Sequence, residues 1–324
     1  MVPRALANPL RPAILAAARS PRVKSAITHA PGTRSLVTRF VAGETRAEVL
    51  AVARALLDSG RMVSIDHLGE DTTDLAQARA TVAEYRGLLA ELGDLPQAHP
   101  PGGGTRRLEV SVKLSALGQS LPSGGGAVAL EHAHQLCAAA QEAGVWITVD
   151  AEDHTTTDST LSIVTELRAE YPWLGAVLQA YLRRTEGDCR DLAGPGSRIR
   201  LCKGAYREPE SVAFQSRTEV DASYLRCLEI LMDGRGYPMV ASHDPAMVAA
   251  AAVSARRVAR GSGEYEHQML YGIRDVEQVR LADAGVQMRV YVPYGRQWYG
   301  YFMRRLAERP ANLTFFLRSL ATRG

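Results

Sequence analysis

Cysteine is scarce in this chain. Cys137, Cys189, Cys202 and Cys227 stand far apart, with no Cys-x-x-Cys pair. That spacing argues against a disulfide framework or a thiolate metal site and leaves buried, reduced thiols as the reading. No apolar run approaches the roughly 20 residues of a membrane-spanning helix. No Gly-x-Gly-x-x-Gly follows the first strand candidate, which speaks against a dinucleotide-binding Rossmann unit. Acid is missing from residues 1–42, where Arg4, Arg11, Arg19, Arg22, Lys24, Arg34 and Arg39 are all basic. Such a stretch suits a mitochondrial transit peptide or a basic helical arm on a membrane-facing protein. The whole chain is rich in Ala and Arg, so the arm is preferred; residues 1–39 are assigned to it and 40–324 to one folded unit.

The 324 residues are 46% hydrophobic and 23% charged, enough apolar material for a large core. A net charge of +3 is too small to imply nucleic-acid binding. The length fits two average domains or one α/β barrel, and the pattern along the chain decides between them. Strand-like segments fall at residues 61–67, 108–115, 145–150, 176–181, 198–203, 239–243, 267–271 and 288–292. Helix-like segments fall at 44–60, 72–92, 128–144, 158–171, within 211–233, and at 245–259, 276–284, 298–308 and 311–320. In the second strand Leu108, Val110, Val112 and Leu114 alternate strictly with Glu109, Ser111, Lys113 and Ser115. Eight strands separated by helices predict an α/β fold: a (β/α)8 TIM-type barrel with an N-terminal helical arm and an extra C-terminal helix. A doubly wound open sheet is the alternative.

In such a barrel the chemistry sits at the C-terminal strand ends, and here those ends are polar. Lys113 ends the second strand; Asp150, Glu152, Asp153 and His154 follow the third. Gln179 and Tyr181 mark the fourth, Arg198, Arg200 and Lys203 the fifth, Ser242 and His243 the sixth, and Arg289 and Tyr291 the eighth. Each has a bland explanation alone: a strand lysine paired with a carboxylate, Asp150 capping a loop, and Arg304–Arg305 on a solvated helix face with Glu308 four residues on as a partner. The run from Asp150 to His154 resembles metal ligands, but carboxylates so close together are more often solvated, so no metal is expected. Convergence of six strands on one rim favours a site. Lys113, Arg200, Lys203, Arg304 and Arg305 outnumber the acids expected to face inward, which predicts an anionic ligand, a carboxylate or phosphate. Gly204–Ala205 after Lys203 would let a phosphate approach the backbone. A Schiff-base lyase using Lys113 or Lys203 remains open.

Taken together, FVAGET (40–45), SVKLSALG (111–118), VDAED (149–153), LQAYLRR (178–184), RLCKGAYREP (200–209), YEHQMLYGI (265–273) and RVYVPYG…YFMRRLAER (289–309) resemble the proline dehydrogenases, from about Phe40 to Leu317. The resemblance implies oxidation of L-proline to 1-pyrroline-5-carboxylate, with hydride transfer to non-covalent FAD and a quinone as electron acceptor. It implies Lys113, Arg304 and Arg305 on the substrate carboxylate, Tyr291 and Tyr206 lining the pocket, and Asp150 and Arg200 as catalytic. Ala151, Gln179, Lys203, Gly204, Ala205, Ser242 and His243 would contact FAD; Ser242 stands where the family usually has Thr. A separate pyrroline-5-carboxylate dehydrogenase would act downstream, and no nucleic-acid partner is expected. The location implied is cytoplasmic, peripheral at the inner face of the cell membrane through the basic arm, or mitochondrial if that arm is a transit peptide.

Overall fold

The structure is a computed structural model. It describes residues 37–98 and 105–308, the last three by backbone alone. Residues 1–36 of the expected arm and the expected helix over 311–320 lie outside the described residues.

Eight strands close into one parallel barrel in chain order. They are β1 (Met62–His67), β2 (Leu108–Val112), β3 (Trp146–Val149), β4 (Gly175–Gln179), β5 (Arg198–Cys202), β6 (Tyr237–Ala241), β7 (Glu266–Leu270) and β8 (Met288–Tyr294). Helix α1 (Arg46–Asp58) precedes β1. The barrel helices are α2 (Leu75–Gly93), α3 (Gly125–Glu142), α4 (Thr157–Arg168), α5 (Thr185–Leu192), α6 (Arg217–Asp233), α7 (Pro245–Arg257), α8 (Asp275–Asp283) and α9 (Trp298–Glu308). The barrel expectation holds and the open-sheet alternative fails at one pairing: β8 lies beside β1, with Tyr291 opposite Ser64 and Pro293 opposite Asp66. The sequence reading did not include helix α5, TEGDCRDL; seven charged or small residues and one leucine carry almost no apolar stripe.

Local chemistry starts the helices where they are needed. Thr45 and Glu48 form a reciprocal capping box on α1, and Ser216 and Glu219 form another on α6. Asp74 caps α2, and Asp244 caps α7 with Pro245 at the first helical position. The caps set the first helical residue at Arg46 and Leu75, two to three residues later than the sequence pattern suggests, and at Pro245 as expected. After β2 the chain makes a π-helical turn over Ser115–Gln119, where Gly118 takes φ +110. A side chain there would be strained and would press on Val128.

Alternation sorts the strand residues into two environments. Val63, Ile65, Leu108, Val110, Val112, Ile147, Val149, Ile199, Leu201, Val290 and Val292 join the helix side chains in one apolar core. The other face fills the barrel with polar groups. Ser64, Asp66, Glu109, Ser111, Thr148, Arg198, Arg200, Glu266, Gln268 and Arg289 are all buried. Arg200 shows that these point inward, because from β5 it reaches Ser64 on β1, Glu109 and Ser111 on β2 and Asp150 after β3. A barrel interior is ordinarily packed with branched apolar residues; this one is held by ion pairs.

Candidate active site

The barrel's charges fall into two layers. The lower layer plugs the N-terminal end. Arg289, fully buried, bonds both oxygens of Glu266 and the carbonyls of Val63, Arg106 and Arg107. Arg198 pairs with Glu109 and stacks on Trp146, 3.7 Å from the ring centroid. Arg198 and Arg289 therefore belong to the barrel floor and not to the rim, where the sequence reading placed them. Both sit early on their strands, and only the register shows how deep that is.

The upper layer is a connected set. Arg200 donates to Glu109 at 2.6 Å, to Asp150 at 2.6 Å and to the hydroxyls of Ser111 and Ser64. Asp150 also accepts from the Tyr291 hydroxyl at 2.7 Å. Lys113 donates to Asp66 at 2.8 Å and lies 3.7 Å from Asp150. The guanidinium of Arg200 sits 5.4 Å from the Tyr291 ring centroid. Burial raises the Asp150 carboxyl above its ordinary range, against the pull of Arg200 and Lys113. Burial alone would lower the Lys113 ammonium, but Asp66 and Asp150 outweigh it, and its pKa is raised. A Schiff-base lysine must be neutral to attack, so Lys113 is held in the wrong state for the lyase reading. Lys203 is likewise engaged, by Asp221 and by Asp244 at 2.8 Å.

The expected excess of inward cations is not there. Asp66, Glu109, Asp150 and Glu266 match Lys113, Arg198, Arg200 and Arg289 inside the barrel. Three of those acids escaped notice because their partners lie 23 to 91 residues away in sequence. Arg304 pairs with Glu70 at 3.0 Å. Arg305 is buried against Tyr301, 5.0 Å from the ring centroid. Both ride on α9, which is seated by Phe40 against Phe302 and by Trp298 donating to Glu44. Neither arginine therefore lies on a freely solvated face. Burial raises the Tyr206 pKa, and charges at Glu70, Glu152, Lys113 and Arg304 act on it, so it lies among the rim groups.

Glu152, Asp153 and His154, unlike Asp150, spend their side chains on the loops. Glu152 binds the Ser115 amide and hydroxyl, Asp153 binds Thr155, and His154 binds Glu208, which also receives the Tyr181 hydroxyl. Along the ends of β4, β5 and β6 lie the expected cofactor positions. Gln179 donates to the Glu152 carbonyl. Gly204 takes φ +111 and packs so closely on the Tyr181 ring that a Cβ would collide with it. Ser242 accepts from the Asp244 amide, and His243 Nε2 accepts from the Leu270 amide. Ala151, Lys203, Gly204 and His243 are half-buried and Ala205 is exposed, so this arc is open to a ligand. An amide, an ammonium, a hydroxyl and exposed backbone at one rim have the donor chemistry for a flavin and its phosphates.

A closed parallel barrel with an ion-paired interior and a polar C-terminal mouth has the layout of a (β/α)8 barrel enzyme. The proline dehydrogenase family model matches residues 49–318. Proline dehydrogenase of Deinococcus radiodurans is 36% identical over 316 residues, covering 96% of this chain and 97% of its own. Proline dehydrogenase 2 of Bacillus subtilis is 33% identical over 290 residues, covering 89% and 91%. Among solved structures, proline utilization A from Bdellovibrio bacteriovorus, inactivated by N-propargylglycine, superposes with a TM-score of 0.76 at 26% identity. There the match covers 85% of this chain and 32% of that one, so the chain spans about a third of its length. The chain belongs to the proline dehydrogenase family, and a flavin cofactor follows from that membership. No described helix is long and apolar enough to cross a membrane.

Proposed function

We propose that the chain oxidises L-proline to 1-pyrroline-5-carboxylate, the first step of proline degradation, at the mouth formed by β1, β2, β3, β5, β8 and α9. The observation that carries the reading is the meeting of Lys113, Asp150, Arg200 and Tyr291 at that mouth, from four separate strands, in a member of this family. Lys113, Arg304 and Arg305 would hold the substrate carboxylate, which fixes the ring in one orientation. Tyr291, tied to Asp150, would form the wall against the ring, and Tyr206 a second wall. Arg200 braces Asp150 through a hydrogen bond, and the two would act as the catalytic pair. Gln179, Lys203, Ser242, His243 and the backbone at Ala151, Gly204 and Ala205 would hold FAD without a covalent bond. When bound, FAD supplies the hydride acceptor for C5 of proline, while the ring nitrogen gives up a proton.

In this reading electrons pass on to a quinone, and the basic arm over residues 1–39 brings the chain to the anionic inner face of the cell membrane. Released product would go to a separate dehydrogenase. The test pairs two measurements. Purified protein given proline and an artificial electron acceptor should release a product two mass units lighter than proline, and denaturation should free all flavin as FAD. Unchanged proline, or flavin left on the precipitated chain, would contradict the corresponding half of the reading.

A further inference from the structure

Asp66 stands outside every residue that the resemblance or the charge pattern singles out. It ends the inward face of β1 at 1% exposure. Its Oδ1 accepts from Lys113 Nζ at 2.8 Å, the shorter of the two ion pairs that lysine makes. Its Oδ2 is buried and has no hydrogen-bond partner. A desolvated carboxylate with one oxygen left bare is costly. The one described contact that offsets the cost is the lysine.

We propose that Asp66 is a positioning residue of the carboxylate site, holding the Lys113 ammonium aimed and protonated so that the site keeps its affinity for a substrate carboxylate into alkaline solution. The proposal rests on the reading of Lys113 as a carboxylate ligand. Several groups face Lys113. Asp66, His67 and Glu70 come from β1 and the turn after it, Asp150 and Glu152 from the end of β3, and Tyr206 from the loop after β5. Asp66 is the one within hydrogen-bonding distance. Asp150 stands further off and is already committed to Arg200 and Tyr291. Burial works against the ammonium, and Asp66 is the first of the charges that overcome it. Asp66→Asn keeps the shape and one acceptor oxygen but removes the charge, which leaves burial opposed mainly by Asp150, whose ion pair to Lys113 is longer and shared with Arg200 and Tyr291.

The experiment uses the flavin-loaded enzyme and cyclopentanecarboxylate as a competitive inhibitor. This probe has a carboxylate and a five-membered ring but no amine, so between pH 7 and pH 10 only the protein titrates. The wild-type inhibition constant should stay flat over that range. Above a lowered lysine pKa, affinity falls about tenfold per pH unit, so in Asp66→Asn the constant should rise at least about fivefold by pH 10. Adding Lys113→Arg to Asp66→Asn should flatten the profile again, because a guanidinium does not deprotonate. A rise below fivefold in Asp66→Asn overturns the proposal. So does a wild-type profile that climbs before pH 10 through a transition abolished by Lys113→Arg, a result available even if Asp66→Asn does not fold. Lys113→Met binding the probe as tightly as wild type at pH 7 would overturn the reading of Lys113 itself. Weakened binding in Lys113→Met beside a flat Asp66→Asn profile would remove only the role of Asp66.

Discussion

Arg304 offers a clean separation of substrate binding from folding. Its guanidinium reaches Glu70 at 3.0 Å, and the two side chains are 28% and 35% exposed. A part-exposed pair of this kind, screened by solvent, contributes about 0–1 kcal/mol to stability. Arg304→Met should therefore shift the thermal midpoint by only a few degrees. Against the substrate the same group would make a charge-assisted bond worth about 1.5–3 kcal/mol. Losing it should raise KM for proline roughly 10- to 150-fold, with kcat and flavin content little changed. Arg304→Lys should fall between, because it keeps the charge and loses the fork. Arg305→Met should raise KM by a similar factor. The assay is steady-state kinetics with an artificial acceptor, beside a melting curve and a flavin-to-protein ratio for each variant. A KM within twofold of wild type in Arg304→Met, at full flavin loading, would show that Arg304 serves Glu70 alone and would refute the carboxylate site.

Other expectations follow from the same geometry. Tyr291→Ser removes the ring wall and the bond to Asp150; activity on proline should fall, and the ratio of kcat/KM for proline over hydroxyproline should shrink. A ratio that holds constant while both activities fall would make Tyr291 a structural residue. Deleting residues 1–39 should leave anaerobic flavin reduction by proline intact and slow turnover with quinone in anionic vesicles; unchanged vesicle turnover would argue against a membrane role for the arm. His267 on β7 is buried, and burial pushes its pKa down from 6.5 to about 4. The folded value is depressed, so stability is complete above pH 6.5 and falls as pH drops toward 4, by roughly 2 kcal/mol at pH 5. Urea midpoints from pH 7.5 to 4.5 should fall more steeply for wild type than for His267→Gln, and equal slopes would reject this account.

The barrel was legible because its periodicity is local. Glu109, Ser111 and Lys113 alternate with Leu108, Val110 and Val112, and that alternation alone separates the two faces of β2. It does not say which face is inside. A polar interior became visible only when eight strands closed and set Arg200 against Ser64, Glu109 and Asp150, up to 136 residues distant. The expectation of a cationic mouth failed for the same reason. Nothing local in the sequence marks Asp66 or Glu266 before the fold brings Lys113 and Arg289 beside them. Tyr291 was readable as an inward residue from its two-residue step beyond Arg289, and both do face the barrel interior. Glu70 was not offered by the sequence as a partner of Arg304, for a related reason. A helix neighbour four residues on is the local choice, whereas Glu70 is supplied by a turn at the opposite end of the chain. Helix α5 left no trace because a barrel crossover can be helical with little apolar surface when its neighbours supply the cover.

The central claim, that proline is the electron donor to a flavin held in this barrel, has one direct measurement. L-proline is added without oxygen to the purified protein, and the visible flavin bands are followed. The account predicts a yellow protein whose colour bleaches fully with proline and returns when a quinone is admitted. A colourless protein that cannot be loaded with FAD, or a yellow one whose spectrum proline leaves unchanged, would contradict it.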